Sequence, residues 1–217
     1  MIPFPSINLM NCSFEVNAFN LYPSNSSILT PKQSANLGNV EISLKHGKKR
    51  DYYIDTEKFS TNAQIAKIGE YFADCICENA LEYDVIIGFA DFGIPFSVAT
   101  ECALFNKYGI TVDCCYDRKV SEEQERIVCG HTLRDKERVV IVDAVISSGR
   151  KICKKIECLK EIAEIDIVAI IVIADLTDDV AREQKLGNMM LQEKYGANVY
   201  SIITDEDVSR YLEKNGF

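Results

Sequence analysis

The chain has 217 residues, of which 47% are hydrophobic and 26% charged, enough for one globular domain with a full sheet-and-helix core. Its net charge of −9 and pI near 4.9 argue against a general nucleic-acid binder, which needs a basic face to displace counterions. No apolar run reaches the ~20 residues of a spanning helix, and no charged leader with a cleavage site is visible, so no membrane partner and a cytoplasmic location are expected.

Residues 1–38 carry four of the five prolines and many Asn and Ser, with no sustained helical or strand period. They predict an irregular arm or lid packed by its Phe and Leu side chains, or, as the plainer alternative, a mobile terminus. From 39 to 217 the pattern is that of a folded domain. Asn39–Leu44 alternates and predicts a strand, Lys45–Asp51 a polar turn, and Tyr52–Asp55 a second strand. Ser60–Leu81 predicts a helix capped by Ser60 or Thr61, with Ile65, Ile68, Phe72, Cys75 and Ile76 on one face.

Strands and helices then alternate. Val85–Phe89, Thr111–Tyr116, Arg138–Ile146, Asp166–Leu176 and Val199–Thr204 read as strands, most of them Val- and Ile-rich. Pro95–Gly109, Gly149–Glu164, Ala181–Gly196 and Glu206–Lys214 read as helices. This order predicts an α/β fold, its mainly parallel sheet flanked by helices. Ligands of such sheets sit beyond the carboxyl ends of the strands, which puts Gly88–Pro95, Tyr116–Leu133 and Asp143–Lys151 on one rim.

The richest chemistry lies in Val139–Ile152, VVIVDAVISSGRKI. Ser147, Ser148 and Gly149 lead into a helix start, where backbone N–H groups and a glycine can hold a phosphate; local helix capping is the plainer reading of the same residues. Asp143 ends an all-apolar strand, where an acid is seldom present for packing. Arg150 and Lys151 are candidate phosphate partners or simply a solvated helix start. Asp91 either meets an anion or caps the helix that follows it. His46 and His131 have no acidic partner at a catalytic spacing and read as surface residues. The nine cysteines include no CxxC pair, so no protein-held metal is expected and the thiols read as reduced and buried.

An apolar run, an acid, three further apolar residues and then Ser-Ser-Gly resembles the phosphoribosyl pyrophosphate (PRPP) motif of type I phosphoribosyltransferases. The resemblance extends in order along the chain. Leu44–Asp55 is similar to the N-terminal hairpin of orotate phosphoribosyltransferases, Asp84–Leu104 to their pyrophosphate-loop strand and helix, Tyr116–Lys119 to the start of their catalytic loop, and Lys194–Lys214 to their C-terminal strand and helix.

This resemblance implies a type I phosphoribosyltransferase-like fold with a small N-terminal hood, a homodimer, and transfer of phosphoribose from PRPP to orotate or a related pyrimidine-type base in pyrimidine biosynthesis, with Mg²⁺ bound mainly through PRPP. It implies catalytic roles for Asp143, Arg118 and Lys119. It assigns PRPP and phosphate binding to Ser147, Ser148, Gly149, Arg150, Lys151, Asp91 and Gly93, and base binding to Lys45 and Tyr53.

The chain departs from the family pattern around that same pocket. Ala144 stands where a second acid is usual, and Phe92 where many members have a lysine. Glu122, Glu123, Gln124 and Glu125 replace a cationic loop, and Leu176 stands in place of an orotate-contacting arginine. Arg126, Arg150 and Lys151 are the remaining cations at hand. Two functions are therefore compatible with the residues: an active transferase, or a PRPP- or nucleotide-binding regulatory homologue with impaired catalysis.

Overall fold

The computed structural model describes residues 19–21, 52–54, 56, 59–117, 128–177, 187–204, 206, 207 and 210. Six strands form one sheet in the order β5-β4-β3-β6-β7-β8. These are β3 (Val85–Gly88), β4 (Asp113–Asp117), β5 (Val128–Gly130), β6 (Arg138–Ile146), β7 (Asp166–Asp175) and β8 (Asn198–Thr204). All neighbours are parallel except β4 and β5, which form an antiparallel pair. β3 is buried along its whole length and nearly all of β7 is, as expected of strands covered on both faces.

The helices supply those covers. α1 (Asn62–Glu78) starts at Thr61, whose side chain accepts from Gln64 N while the Gln64 side chain reaches back to the cap, a reciprocal arrangement that satisfies free N–H donors at the helix start. α2 (Gly93–Ala103) continues through a wider turn, Leu104–Tyr108, to a left-handed stop at Gly109. α3 (Arg150–Lys160) and α4 (Asn188–Tyr195) complete the set.

Alternate residues of each strand feed opposite cores. Ile86, Val140, Val142, Ala169 and Ile171 pack with Phe72, Ile76 and Phe96 of α1 and α2. Val85, Ile87, Val139, Ile141 and Ile170 pack with Ile152, Ile156 and Leu159 of α3 and Leu191 of α4. A period-2 strand between two helical layers produces this division directly.

β4 lies on one side of β3 and β6 on the other, so the winding reverses between β3 and β6. Loops leave that point in opposite directions and open a crevice beyond the strand ends. The β3–α2 and β6–α3 connections line it.

Two short strands fall outside the expected elements. Phe19–Leu21 (β1) lies within the segment read as irregular, and pairs antiparallel with Tyr52–Ile54 (β2). β5 pairs Val128 with Asp117, so the connection between them is clamped at both ends. The expected strand at 39–44 and most of the expected helix at 206–214 lie outside the described residues.

Candidate active site

β6 runs from Arg138 to Ile146, turns at Ser147–Gly149 and passes into α3 at Arg150. Gly149 has φ 70°, and a Cβ there would lie 2.9 Å from the Gly187 carbonyl oxygen; only glycine fits both the conformation and the space. No side chain caps α3, which leaves its first N–H groups to an anion or to solvent.

A second layer fixes this turn. Gly187 N donates to Ser148 O (3.1 Å) and Leu176 N to Ile146 O (2.8 Å). Thr177, fully buried, donates through Oγ1 to Asp175 Oδ1 (2.5 Å), and its N donates to the same oxygen (2.9 Å). Asn188 Nδ2 donates to Asp175 Oδ2 (2.7 Å). Asp175, Thr177 and Asn188 are thus the hidden support of this turn.

Asp143 lies at the same end of β6 and accepts from Ala144 N at 2.8 Å. Burial pushes its carboxyl up to about 6; the Ala144 N–H and the cations Lys155 and Lys151 oppose that rise, while Asp117 adds to it. The adjoining Ala144 and Leu176 are each only 7% exposed and belong, with the half-buried Phe92, to one apolar cluster. The positions where the family resemblance leads one to expect a second carboxylate and a guanidinium are thus filled by buried hydrocarbon.

The other wall of the crevice is the β3–α2 loop. Its Ala90–Asp91 peptide bond is cis. Phe92 is the N-cap of α2, with no side-chain cap hydrogen bond of its own; Asp91, one residue before it, is exposed on the rim. A Cβ on Gly93 would lie 2.3 Å from Val142 O and 3.2 Å from Asp143 Cα. This glycine lets the start of α2 touch the end of β6, bringing the loop against Asp143. Asp117 and Lys155, absent from the sequence-based set, meet the same loop at Ala90.

The structure therefore gathers Asp143, Ser147, Ser148, Gly149, Arg150, Lys151, Asp91 and Gly93 at one end of the sheet. Arg150 and Lys151 are exposed. Lys45, Arg118, Lys119, Arg126 and the acidic run at 122–125 lie outside the described residues, as does the side chain of Tyr53, whose backbone belongs to β2.

His131 departs from its surface reading. Its side chain is 10% exposed, with Nδ1 3.2 Å from Asp113 Oδ2 and Nε2 2.9 Å from Glu137 Oε1. It was misread because both carboxylates reach it through folding, one from β4 and one from the approach to β6.

Among the described residues no group of three or more His, Cys, Asp or Glu is arranged to hold a metal ion. The described cysteines are free thiols. No described helix is long and apolar enough to cross a membrane.

No protein-family model matches the chain. Individual proteins do. It is 33% identical over 178 residues to an orotate phosphoribosyltransferase of Clostridium botulinum (strain Alaska E43 / Type E3), covering 79% of each chain. It is 30% identical over 177 residues to one from Actinobacillus pleuropneumoniae serotype 5b, covering 81% of each. The crystal structure of orotate phosphoribosyltransferase from Francisella tularensis superposes with a TM-score of 0.65 at 24% identity, over 81% of this chain and 84% of that one. The fold is thus that of these proteins. With a third of positions shared with the Clostridium relative across nearly four-fifths of both sequences, the chain belongs to the orotate phosphoribosyltransferase family.

Proposed function

We propose that the protein transfers the phosphoribosyl group of PRPP to orotate or a related pyrimidine-type base, releasing pyrophosphate. The observation that carries this reading is the pairing, on one β6–α3 turn, of a desolvated carboxylate with an uncapped helix start: Asp143 for the ribose hydroxyls, Ser147–Gly149 and the N–H groups of α3 for the 5′-phosphate. Asp91 and Gly93, on the facing loop, are assigned to the pyrophosphate, with Arg150 and Lys151 as nearby cations. Arg118 and Lys119 are assigned to the leaving group, and Lys45 and Tyr53 to the base.

The donor chemistry of the crevice fits Mg²⁺ carried on PRPP oxygens rather than caged by protein, since that ion commonly keeps its waters and binds through substrate phosphates and one or two carboxylates. When bound, it supplies neutralisation of charge on the departing pyrophosphate. The protein's own part is to hold the ribose and its phosphate still while the bond to pyrophosphate breaks. A homodimer and a cytoplasmic location accompany this reading.

A second reading, a binding protein with impaired transfer, is favoured by one observation: Ala144, Leu176 and Phe92, at positions where polar groups are expected, join the apolar core on one face of the sheet. The two readings part in one experiment. Purified protein with PRPP, Mg²⁺ and orotate should deplete orotate absorbance if transfer is intact. Binding of PRPP by calorimetry without turnover would select the second reading, and Ala144→Asp should then raise turnover if the missing acid is limiting. Absence of binding by both PRPP and ribose 5-phosphate would eliminate both readings.

A further inference from the structure

Lys155, in the second turn of α3, leaves its own helix to meet the other wall of the crevice. Its Nζ donates to the Ala90 carbonyl at 2.5 Å, pairs with Asp117 Oδ2 at 3.0 Å, and lies 4.7 Å from the centre of the Phe89 ring. The other oxygen of Asp117 accepts from Ala90 N. Both backbone polar groups of Ala90 are therefore taken by one ion pair, in a closed ring of three residues from three segments.

Those segments have distinct places in the site. α3 begins at the phosphate cradle, Ala90 belongs to the β3–α2 loop, and Asp117 immediately precedes Arg118. The pair is largely sheltered, with side chains 28% and 10% exposed for Lys155 and Asp117, so its geometry is firmer than that of an exposed ion pair. Nothing in ordinary core packing calls for a lysine here. The neighbours of Lys155 on the buried face of α3 are Ile152, Cys153, Ile156 and Leu159.

We infer that Lys155 is a positioning residue: with Asp117 it fixes the β3–α2 loop at a set distance from the phosphate cradle, so that the two ends of a sugar bearing both phosphate and pyrophosphate are held together. The inference rests on the proposed PRPP site. It assigns Lys155 no contact with substrate; the residue acts through Ala90.

The role predicts a ligand-dependent effect. Ribose 5-phosphate needs only Asp143 and the cradle, whereas PRPP needs these and the β3–α2 loop. In calorimetry with Mg²⁺, Lys155→Met should weaken PRPP by roughly 10- to 100-fold, the scale of a lost hydrogen bond to a charged group. Ribose 5-phosphate should weaken clearly less, since it makes no demand on the loop and feels only the loss of the Lys155 charge near Asp143. Asp117→Asn keeps an acceptor for Ala90 N but loses the charge, and should shift PRPP in the same direction by less. It serves as the test if thermal melting shows Lys155→Met to be unfolded.

Equal weakening of both ligands, or an unchanged PRPP affinity in the folded variants, would overturn the positioning role while leaving the site intact. Wild-type protein that binds ribose 5-phosphate but not PRPP would overturn it too, leaving only the cradle. Wild-type protein that binds neither ligand would overturn the PRPP site itself and this inference with it.

Discussion

The two ends of β6 handle charge in opposite ways. At its start, Arg138 is forked between neighbours: Nη2 lies 2.9 Å from Asp84 Oδ1 and Nη1 2.8 Å from Glu82 Oε2, while Nε donates to Asp84 Oδ2 at 3.1 Å. The Arg138 guanidinium and then its backbone N–H hold the Asp84 carboxyl down at about 2. At the other end Asp143 receives one backbone N–H and is held up at about 6 by burial. The base of β6 thus meets a satisfied carboxylate, Asp84 at the entry to β3, while its top carries an under-compensated one of its own. The first is an arrangement for folding; the second burdens folding and is intelligible as preparation for a ligand.

The sharpest way to break that contrast is Asp143→Asn. If Asp143 serves the ligand, turnover with PRPP should fall by roughly 100- to 1000-fold, the usual loss for one preorganised charge-bearing group; near-normal turnover in a steady-state assay would remove the distinction. Next in size is the pH dependence of stability. A carboxyl raised from 3.8 to about 6 on folding contributes stability that is fully present below its unfolded value and lost as pH rises through 6. That loss amounts to about 3 kcal/mol for a shift of this size. Urea melts of wild type and Asp143→Asn should therefore shift in favour of the variant between acid pH and pH 8. Glu101, also raised by burial to about 7, titrates in both proteins and cancels in the difference. A gap that moves the other way would show that Asp143 is better compensated than its surroundings indicate.

Gly149→Ala probes the turn between the two functions. The left-handed conformation alone costs a non-glycine residue about 1–2 kcal/mol, and the added methyl would crowd Gly187, so melts should show a loss of at least that order together with weaker ribose 5-phosphate binding. Arg138→Ala should have the least effect: the pair is exposed and screened by salt, so turnover should be unchanged and the melting temperature nearly so.

The elements that the sequence disclosed are those whose residues carry their own signal. β6 occupies Arg138–Ile146 as its apolar run indicated, and Asp143 stood out because an acid closed that run. Ser60 or Thr61 marked the start of α1 in the same local way, and Thr61 is the cap. The supports were hidden for the converse reason. Lys155 meets partners far away in the chain, at Ala90 and Asp117, and from sequence alone it is one more lysine in a basic helix. Its interruption of the pattern around Ile152, Ile156 and Leu159 was the available clue. Asp175, Thr177 and Asn188 likewise come together only when the end of β7 meets the start of α4. β5 is three residues long, too short for a period to show.

That short strand has a consequence for how the molecule behaves in a crowd. A sheet edge with unpaired N–H and C=O groups recruits other chains by strand addition. Here the outermost strand beyond β4 is β5, brief, antiparallel, and ending at Gly130, whose φ of 96° turns the backbone out of extended geometry. Little flat, regular edge remains there on which a foreign strand could register, so β5 guards this edge of the sheet and leaves β8 as the longer one.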